Sequence, residues 1–580
     1  MDRRMTRILA ALLPLAIAAC ATPQASAPAP QTVTVGIVAI NDFHGNLEPP
    51  KMAVPVPDGS GGTTYVPAGG AAWLASAIDM VAARHRYSTV VSAGDLISAS
   101  PLASSLFLDE PTVGAMNRIG LEFNAVGNHE FDRGREELLR MQAGGCEAHT
   151  QRRPCAVEEF AGADFAFLSA STYTGDGSSL FPATGTKTFE TPAGQIKLGF
   201  IGLTLESTPL LVSPEGIAGL TFGDEAEAIN RAVPVLESEG ADAIVVLIHQ
   251  GAEQGENPDP NDCEGLSGAL LEILGRLDPG VDVVVSGHTH QAYVCDYGTI
   301  DPARPLLLTS AGSYGRLVTD IALTIDPAAD QVVAARAENV IVQSPGYATS
   351  RGETPATDAF ARFEPRADIA AYVARYVDAA AEYAKRPVGR IGGGALRMWG
   401  EGPNTGGRLG LLIADAQLAA TRDAGAQVAF MNTGGIRADL EPTADGRLTF
   451  GQIYAVQPFG NTLVTRTFSG AQLETLLEQG LAMADPKFLV PSQGFAYRYD
   501  LSRPAGERLV SMTLDGKPVD PQATYRVTMN SFLAQGGDGY AVFTDGTDAV
   551  TGGLDLEALE AWLDGEAPRP VPSAPRITAN

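Results

Sequence analysis

Short apolar runs of the β-strand type alternate with Ala- and Leu-rich runs of the helical type over the first part of the chain. The predicted strands, rich in Val and Ile, lie at residues 33–40, 88–92, 123–126, 196–203, 243–248, 281–286 and 306–310. Strands that alternate with helices are typical of layered α/β domains. We therefore predict an α/β domain over residues 33–345.

The pattern changes after this domain. Residues 346–387 are a predicted linker, within which 367–386 contains neither Gly nor Pro and carries apolar residues at helical spacing. This favours a linker helix that ends near Pro387. Residues 388–565 again mix predicted strands and helices and form a predicted second domain. The Pro-rich residues 566–580 are predicted to be a flexible tail.

The N-terminus has the layout of a secretory signal. Arg3, Arg4 and Arg7 precede a short apolar run that ends at Cys20. This run is too short to span a bilayer, which takes about 20 residues. The segment before and at Cys20 resembles a bacterial lipobox, which predicts a signal peptide at 1–19, lipidation of Cys20 and an Ala/Pro-rich tether at 20–32. An ordinary signal peptide with a coincidental Cys is the alternative.

These features predict a protein body that lies on the periplasmic side of a bacterial membrane, or at the cell surface, on a lipid anchor. That compartment permits disulfides. The preferred pairs are Cys146 with Cys155 and Cys263 with Cys295, and zinc binding by the four Cys is the alternative.

The charge narrows the range of partners. The chain has 580 residues, a formal net charge of −28 and a sequence pI of about 4.6. Such a balance makes a broad nucleic-acid surface unfavourable, because nothing would neutralise a run of phosphates. It leaves room for a small phosphorylated ligand at a locally positive site. We therefore expect no nucleic-acid polymer as partner.

Polar residues of the metal-ligand type follow five of the predicted strands. The blocks are Asn41-Asp42-Phe43-His44-Gly45, Gly94-Asp95, Gly127-Asn128-His129-Glu130-Phe131-Asp132, His249-Gln250-Gly251 and Gly287-His288-Thr289-His290. Five of the seven His lie in these blocks. In α/β sheets, ligands bind beyond the carboxyl ends of strands, and mixed imidazole and oxygen donors suit Zn²⁺, Mn²⁺ or Fe.

These blocks resemble the signature of calcineurin-like metallophosphoesterases. The first and third blocks are more specifically similar to those of the bacterial 5′-nucleotidase/UDP-sugar hydrolase family. The resemblance implies a four-layer β-sandwich flanked by helices, followed by a linker helix and a C-terminal α/β (α+β) nucleotide-binding domain. It further implies that the second domain rotates to carry substrate to the metals.

The resemblance implies two divalent metal ions, of Zn, Mn, Co or Fe. Asp42, His44 and His290 would hold one, and Asp95 would bridge the two. The other would be held by Asn128, His249 and His288. A hydroxide shared by the metals would attack phosphorus in line with the leaving oxygen.

The catalytic pair implied by the resemblance is His129 with Asp132. His129 would stabilise the transition state or protonate the leaving group, oriented by Asp132. The alternative for Asp132 is an acid at a helix N-terminus.

The second domain carries the implied substrate residues. Residues 431–439, 457–461 and 530–539 resemble three blocks of the family. They imply base stacking by Phe459 and Phe532, a ribose contact from Asp538 and a phosphate contact from Arg437, with Asn432 in the same site. Core packing is the alternative for each Phe. Residues 405–415 depart from the family pattern, because its acidic residue and both of its Asn are missing there, and Arg408 is the candidate for the position of the family's Arg.

The implied activity is release of phosphate from nucleoside 5′-monophosphates, with nucleotide sugars or 2′,3′-cyclic nucleotides as further substrates. One alternative is the related hydrolysis of a sulfur-linked sulfate during sulfur oxidation. Another is a surface lipoprotein that binds nucleotides without catalysis. The sequence does not specify an oligomeric state.

Overall fold

The structure is a computed structural model that describes residues 32–150, 152–255, 259–349, 352–398, 403–565 and 567–580. The predicted signal peptide, the lipidation site Cys20 and most of the tether lie outside these ranges. Within them, no helix combines the length and apolar character that a bilayer crossing needs.

The strands of the first half alternate in chain order with short helices and loops. They are β1 (Val33–Ile40), β2 (Ala53–Pro57), β3 (Thr63–Pro67), β4 (Ser88–Ser92), β5 (Leu121–Ala125), β6 (Ala166–Leu168), β7 (Thr172–Thr174), β8 (Thr184–Thr191), β9 (Gly194–Thr204), β10 (Leu220–Phe222), β11 (Ala243–His249), β12 (Val283–Ser286), β13 (Ala292–Asp296), β14 (Leu307–Ala311), β15 (Leu317–Asp326), β16 (Gln331–Ile341), β17 (Tyr347–Thr349) and β18 (Gly352–Thr354). The helices are α1 (Ala71–Ala82), α2 (Leu102–Ser105), α3 (Glu110–Ile119), α4 (Arg135–Ala143), α5 (Glu225–Ser238) and α6 (Ala269–Leu274).

Two six-stranded sheets form the centre of this half. Their orders are β16-β15-β1-β4-β5-β6 and β13-β14-β12-β11-β9-β8. Alternate residues such as Val35 and Ile37 of β1 and Val245 and Leu247 of β11 face one another in the core between the sheets. The opposite faces are covered by α1 and α3 on one side and by α5 and α6 on the other. The predicted four-layer sandwich is confirmed.

A long helix follows the sandwich. α7 (Ala367–Ala384) places apolar residues at spacings of three and four, so that Ile369, Tyr372, Val373, Tyr376 and Ala380 are buried along one face. It contacts α1, α2 and α3 of the first half. The predicted linker helix is therefore packed against the sandwich, and its end also contacts the second half at Ala384.

The second half begins directly after α7. Its strands are β19 (Pro387–Arg390), β20 (Val428–Asn432), β21 (Arg447–Thr449), β22 (Thr462–Ser469), β23 (Leu489–Pro491), β24 (Phe495–Tyr499), β25 (Leu509–Leu514), β26 (Lys517–Pro518), β27 (Thr524–Asn530), β28 (Thr547–Leu554) and β29 (Ile577–Ala579). Its helices are α8 (Gly407–Ala420), α9 (Phe450–Val456), α10 (Gly470–Leu481), α11 (Ser531–Ala534) and α12 (Asp555–Leu563). The larger sheet has the order β23-β20-β27-β22-β28, and the smaller one β26-β25-β24-β29.

The prediction of a flexible tail at residues 566–580 is wrong for its last part. β29 pairs in parallel with β24, and Ile577 is buried in the core of the second half. Arg576 forms an ion pair with Asp415 of α8, with an Nη1–Oδ1 distance of 2.6 Å. The Pro-rich composition concealed a short strand whose partner lies about eighty residues earlier in the chain.

Both preferred disulfides are present. Cys146 is bonded to Cys155 and Cys263 to Cys295, with Cα–Cα distances of 5.5 and 5.4 Å. The alternative of zinc binding by the four Cys is therefore excluded by the pairing.

Candidate metal centre and substrate site

The ligand-type residues converge because the strands that carry them are parallel neighbours. Asp42 and His44 follow β1, Asp95 follows β4 and Asn128 follows β5, which are adjacent in one sheet. His249 ends β11, and His288 and His290 follow the adjacent β12 of the facing sheet. The carboxyl ends of the two sheets therefore share one site.

The predicted ligand atoms lie within a few ångströms of one another. Nε2 of His290 lies 3.4 Å from Oδ1 of Asp42 and 3.3 Å from Nε2 of His44. Oδ2 of Asp95 lies 3.0 Å from Nε2 of His249 and 3.6 Å from Nε2 of His44. Asp42 belongs to two groups whose ligand atoms all lie within 4.8 Å, one with His44 and His290 and one with Asp95 and His249.

The backbone at these residues is strained. The φ angles of Asp42, His44, Asp95, His288 and His290 are 49°, 47°, 51°, 70° and 60°. Residues with a Cβ rarely adopt this left-handed region, and such strain clusters at ligand-binding sites. The sharp bends turn each side chain from its strand end toward the space between the sheets.

Two of the imidazoles are held in a ligand-ready tautomer. Nδ1 of His44 lies 3.0 Å from the carbonyl of Ser98, and Nδ1 of His249 lies 2.9 Å from the carbonyl of Ala93. A carbonyl only accepts, so each Nδ1 carries the hydrogen and donates it. Nε2 is then the nitrogen that faces the centre of the site, and its lone pair is the one available to a metal once the ring is deprotonated.

An orphaned polar atom shows that the site fits a bound cation. Oδ1 of Asn128 is buried without a hydrogen-bond partner among the described residues, and Nε2 of His249 faces Oδ2 of Asp95 at 3.0 Å. The ring of His288 lies 5.3 Å from that of His249. A buried polar atom left unpaired costs about 1–3 kcal/mol, which a coordinated metal would offset. These three residues are the set expected to hold the second metal.

Burial and neighbouring charges shift the pKa values of the ligand-type residues in different directions. Burial would raise the pKa of Asp95, but the charges of His249 and His129 outweigh it and hold that pKa well below its usual value. Burial lowers the pKa of His288 to about 3. Burial would also lower the pKa of His249, but Asp95 outweighs it and raises that pKa to about 10.

Glu130 is a supporting residue that the sequence analysis missed. Its Oε2 accepts hydrogen bonds from the backbone N–H of Gly127 (2.7 Å) and Asp95 (3.0 Å), and its Oε1 accepts one from Leu96 (2.8 Å). A Cβ at Gly127 would lie 2.1 Å from Oδ1 of Asp95, so only Gly allows this approach. Glu130 thus ties the loops after β4 and β5 together behind the ligands.

Asn41 has a similar role that the sequence analysis also missed. Its Nδ2 donates to Oδ2 of Asp42 (2.7 Å) and to the carbonyl of Gly312 (2.6 Å), and its Oδ1 accepts from the N–H of Ala311 (2.7 Å). It therefore orients the Asp42 carboxylate. Asn41 and Glu130 both sit inside the strand-end blocks, and that position was the available signal.

His129 lies beside the ligands and is paired as predicted. Its Nδ1 lies 2.8 Å from Oδ2 of Asp132, and its ring centroid lies 5.1 Å from that of His44. Burial would lower the pKa of His129, but the carboxylates of Asp132 and Asp95 outweigh it and raise that pKa. An imidazole whose protonated form is favoured by these carboxylates therefore faces the ligand cluster.

Two side chains of the second half reach the same place. The ring of Phe459 stacks on that of His129, with centroids 5.7 Å apart and planes at 18°. The guanidinium carbon of Arg437 lies 5.9 Å from the centre of the Phe459 ring. Nε and Nη2 of Arg437 are buried with no hydrogen-bond partner in the described part of the chain. Arg437 therefore offers two free donors suited to an anion such as phosphate.

Two of the other predicted substrate residues, Asn432 and Asp538, line a cavity of the second half, whereas Phe532 and Arg408 do not. This cavity of about 380 Å³ is lined by Asn432, Lys487 and Asp538 together with Asn404. Oδ2 of Asp538 accepts from Nδ2 of Asn432 (2.7 Å), and its Oδ1 lies 3.0 Å from Nζ of Lys487. Lys487 was not found from the sequence, where it stands in no recognisable block. Arg408 is exposed at the start of α8 and outside the lining of this cavity.

The segments that carry the two predicted stacking rings are tied together. Oδ1 of Asn461 accepts from the N–H of Phe532 (3.3 Å) and from Oγ of Ser531 (3.0 Å). The Phe532 ring is partly buried and lies so close to Gly537 that a Cβ there would be 2.6 Å away. Asn461, two residues after Phe459, thereby fixes one segment against the other.

A buried carboxyl lies under the same segment. The N–H of Asp555, at the start of α12, donates to the carbonyl of Asn461 (2.8 Å), and Oδ1 of Asp555 accepts from the N–H of Leu556 (2.8 Å). Asp555 is only 2% exposed. Burial raises the pKa of Asp555 to about 7, partly opposed by the hydrogen bond from Leu556.

This carboxyl predicts a pH dependence of stability. From about pH 4 to 7 the folded chain keeps a proton on Asp555 that the unfolded chain has lost, so the stability that this group contributes falls as pH rises. We expect Asp555→Asn to exceed the wild type in unfolding free energy at pH 8 by on the order of 2 kcal/mol, and to differ little at pH 4. Thermal unfolding of both proteins between about pH 4 and 8 measures this difference in unfolding free energy. Asp378→Asn, at an exposed position of α7, is the control, and an Asp555→Asn difference that does not grow with pH would contradict the prediction.

Comparison with known proteins matches each half of the chain to a protein family model. A family model described as calcineurin-like phosphoesterase matches residues 36–292, and one described as 5′-nucleotidase, C-terminal domain, matches residues 387–545. The cell wall protein Lmo0130 of Listeria monocytogenes is 30% identical over 568 residues, which cover 92% of this chain and 68% of that protein.

Two further relatives extend the comparison. Endonuclease YhcR of Bacillus subtilis is 31% identical over 92% of this chain, but the chain spans only 40% of its length. The crystal structure of a 5′-nucleotidase precursor from Thermus thermophilus is 27% identical, covers 94% of this chain and 99% of its own, and superposes with a TM-score of 0.73. The chain therefore belongs to the 5′-nucleotidase family of metal-dependent phosphoesterases, in which a calcineurin-like phosphoesterase domain precedes a 5′-nucleotidase C-terminal domain.

Proposed function

We propose that this protein is a two-metal phosphohydrolase that releases phosphate from nucleoside 5′-monophosphates. One observation carries the proposal: Phe459 of the second half lies against His129, at the edge of the ligand cluster of the first half, and Arg437 lies over the Phe459 ring. A phosphate gripped by Arg437 and a base or ribose near Phe459 would then lie beside the ligands. The name of the Thermus thermophilus relative, a 5′-nucleotidase precursor, supports this substrate class.

The proposed chemistry divides between the metals and the chain. Bound divalent metals supply Lewis acidity and lower the pKa of coordinated water. Asp42, Asp95 and the surrounding imidazoles would hold them, while Arg437 binds the phosphoryl oxygens. His129, kept protonated by Asp132, would donate its proton to the oxygen of the leaving nucleoside.

A substrate panel tests this proposal. Purified protein loaded in turn with Mn²⁺, Zn²⁺ or Co²⁺ is given nucleoside monophosphates, UDP-sugars, 2′,3′-cyclic nucleotides and an S-sulfonated thiol, and released phosphate or sulfate is measured. Plasmid DNA is the polymer control. We expect the highest kcat/KM for nucleoside 5′-monophosphates. Sulfate release alone would favour the sulfur-oxidation alternative, and no turnover with any metal would favour a nucleotide-binding protein.

Phe532 provides a test of nucleotide recognition. We expect Phe532→Ala to raise KM for adenosine monophosphate by roughly 5–150-fold, since base stacking on an aromatic ring contributes about 1–3 kcal/mol. KM for p-nitrophenyl phosphate should hardly change, because that ester has no nucleobase. Steady-state kinetics with both substrates measures the difference.

The control for this experiment is Phe363→Ala. Phe363 is also partly buried, but it packs on the core of the first half. It should leave the ratio of the two KM values unchanged. A Phe532→Ala variant in which both KM values rise equally would show that Phe532 is a packing residue only.

A further inference from the structure

We propose that Arg152 is a positioning residue, which bonds to Tyr454 across the junction of the two halves and thereby holds the Phe459 segment beside the metal ligands. Arg152 belongs to the first half and lies in the loop closed by the Cys146–Cys155 disulfide. Tyr454 belongs to α9 of the second half. The effect of Arg152 on catalysis rests on the proposed function, whereas the contact between Arg152 and Tyr454 does not.

Both ends of the disulfide loop are anchored to the first half. Nη1 of Arg140 donates to the carbonyl of Gly145 (2.8 Å), next to Cys146. The N–H of Cys155 donates to Oε1 of Glu110 (3.0 Å), and Glu110 is itself paired with Arg140 at 2.8 Å. Arg140 and Glu110 are buried. The loop therefore has fixed ends and a short span, which limits where Arg152 can reach.

The guanidinium of Arg152 joins two elements that belong to different halves. Nη1 donates to the carbonyl of Ser105 at the end of α2, and also to its Oγ at 3.1 Å. Nη2 donates to the hydroxyl of Tyr454 at 2.8 Å. Oγ of Ser105 and the hydroxyl of Tyr454 lie 2.5 Å apart, so the three side chains form one network.

Tyr454 connects the Arg152 network to the segment that carries Phe459. Its hydroxyl donates to the carbonyl of Pro458 at 3.1 Å, directly before Phe459. The ring of Phe459 stacks on His129. Tyr454 is only 4% exposed, so its hydroxyl depends on these partners for its hydrogen bonds. Arg152 thus acts on Phe459 through Tyr454 and without touching the site.

A planar guanidinium is required for this role. Arg152 uses Nη1 for Ser105 and Nη2 for Tyr454, and the fixed fork sets the distance between the two acceptors. A Lys ammonium would bond one partner at a time. Loss of a hydrogen bond to a charged group weakens an interaction by about tenfold or more.

The experiment measures three variants, namely Arg152→Ala, Tyr454→Phe and the double variant that combines these two changes. Arg153→Ala is the control. Arg153 is the neighbouring exposed cation, for which the described residues show no hydrogen bond to the second half. We expect Arg152→Ala to raise KM for adenosine monophosphate about tenfold and to leave kcat and KM for p-nitrophenyl phosphate within about twofold. The double variant should be no worse than the more affected single variant, because both changes break the same network. Arg153→Ala should match the wild type.

Hydrogen–deuterium exchange provides a readout that needs no substrate. Arg152→Ala should speed exchange of the amides at 456–461 about tenfold, while the strands β20 and β27 of the same half keep wild-type rates. Unchanged exchange at 456–461, or strictly additive effects of the two single variants on KM, would overturn the proposal. If the wild type hydrolysed no nucleotide, the proposed function would fail, and the exchange rates alone would still decide whether Arg152 holds this segment.

Discussion

Asp95→Asn is expected to abolish phosphate ester hydrolysis, with a loss of at least about 10³-fold in kcat, while the chain stays folded. Oδ2 of Asp95 lies between Nε2 of His249 and Nε2 of His44, and Asp95 is the only carboxylate proposed to bridge the two metals. An amide of the same shape removes the negative charge and one metal ligand. Turnover of p-nitrophenyl phosphate and metal content by mass spectrometry measure the effect.

The matched control is Asp282→Asn. Asp282 is another largely buried carboxyl of the sandwich, but it precedes β12 at the end of the strand opposite the ligands and accepts a hydrogen bond from the N–H of Ile244. The control should keep its activity and two metals per chain. Full turnover by Asp95→Asn would refute the dimetal assignment, and equal losses in both variants would indicate damage to the fold.

His129→Ala is expected to lower kcat for adenosine monophosphate by about 10²–10⁴-fold, the usual contribution of a positioned general acid. The loss should be much smaller for p-nitrophenyl phosphate, because nitrophenolate leaves without a proton. His129 lies beside the ligands, and its pKa is raised by Asp132 once the effect of burial is overcome. Single-turnover rates with both esters give the comparison.

Asp132→Asn tests the same catalytic pair and should have a smaller effect than His129→Ala. It keeps the shape of the side chain that lies 2.8 Å from Nδ1 of His129 but removes its charge. A loss of about 10–100-fold, with the same dependence on the leaving group, is expected of an orienting residue. Equal losses of His129→Ala on both esters would instead assign His129 to stabilising the phosphoryl oxygens.

The ligand residues at the strand ends of the first half could be predicted because each one is adjacent in sequence to the strand that positions it. Each ligand block directly follows an apolar run, and parallel strands bring their carboxyl ends to the same side of a sheet. Asp42 and Asp95 were therefore expected to meet although about fifty residues separate them, and their side chains belong to one ligand group. The alternation of strands and helices predicted a layered α/β domain, and the four-layer sandwich was implied by the family resemblance.

The contacts that were missed depend on packing between distant segments. The strand β29 and the Arg152–Tyr454 contact each join residues with no shared local pattern, and Pro-rich or loop composition gave no sign of them. Glu130 stood in the third ligand-type block without a predicted role, whereas its side-chain oxygens accept hydrogen bonds from three backbone N–H groups. Such roles depend on the direction of a side chain, which periodicity alone does not determine.

The left-handed backbone at Asp42, His44, Asp95, His288 and His290 has a thermodynamic consequence. Non-glycine residues in this region cost about 1–3 kcal/mol each, so the site stores several kcal/mol of conformational strain. This cost must be offset by the packing of the two sheets around the strand ends and by the ligands that the site binds. The site therefore lowers the intrinsic stability of the sandwich at the residues that carry its chemistry.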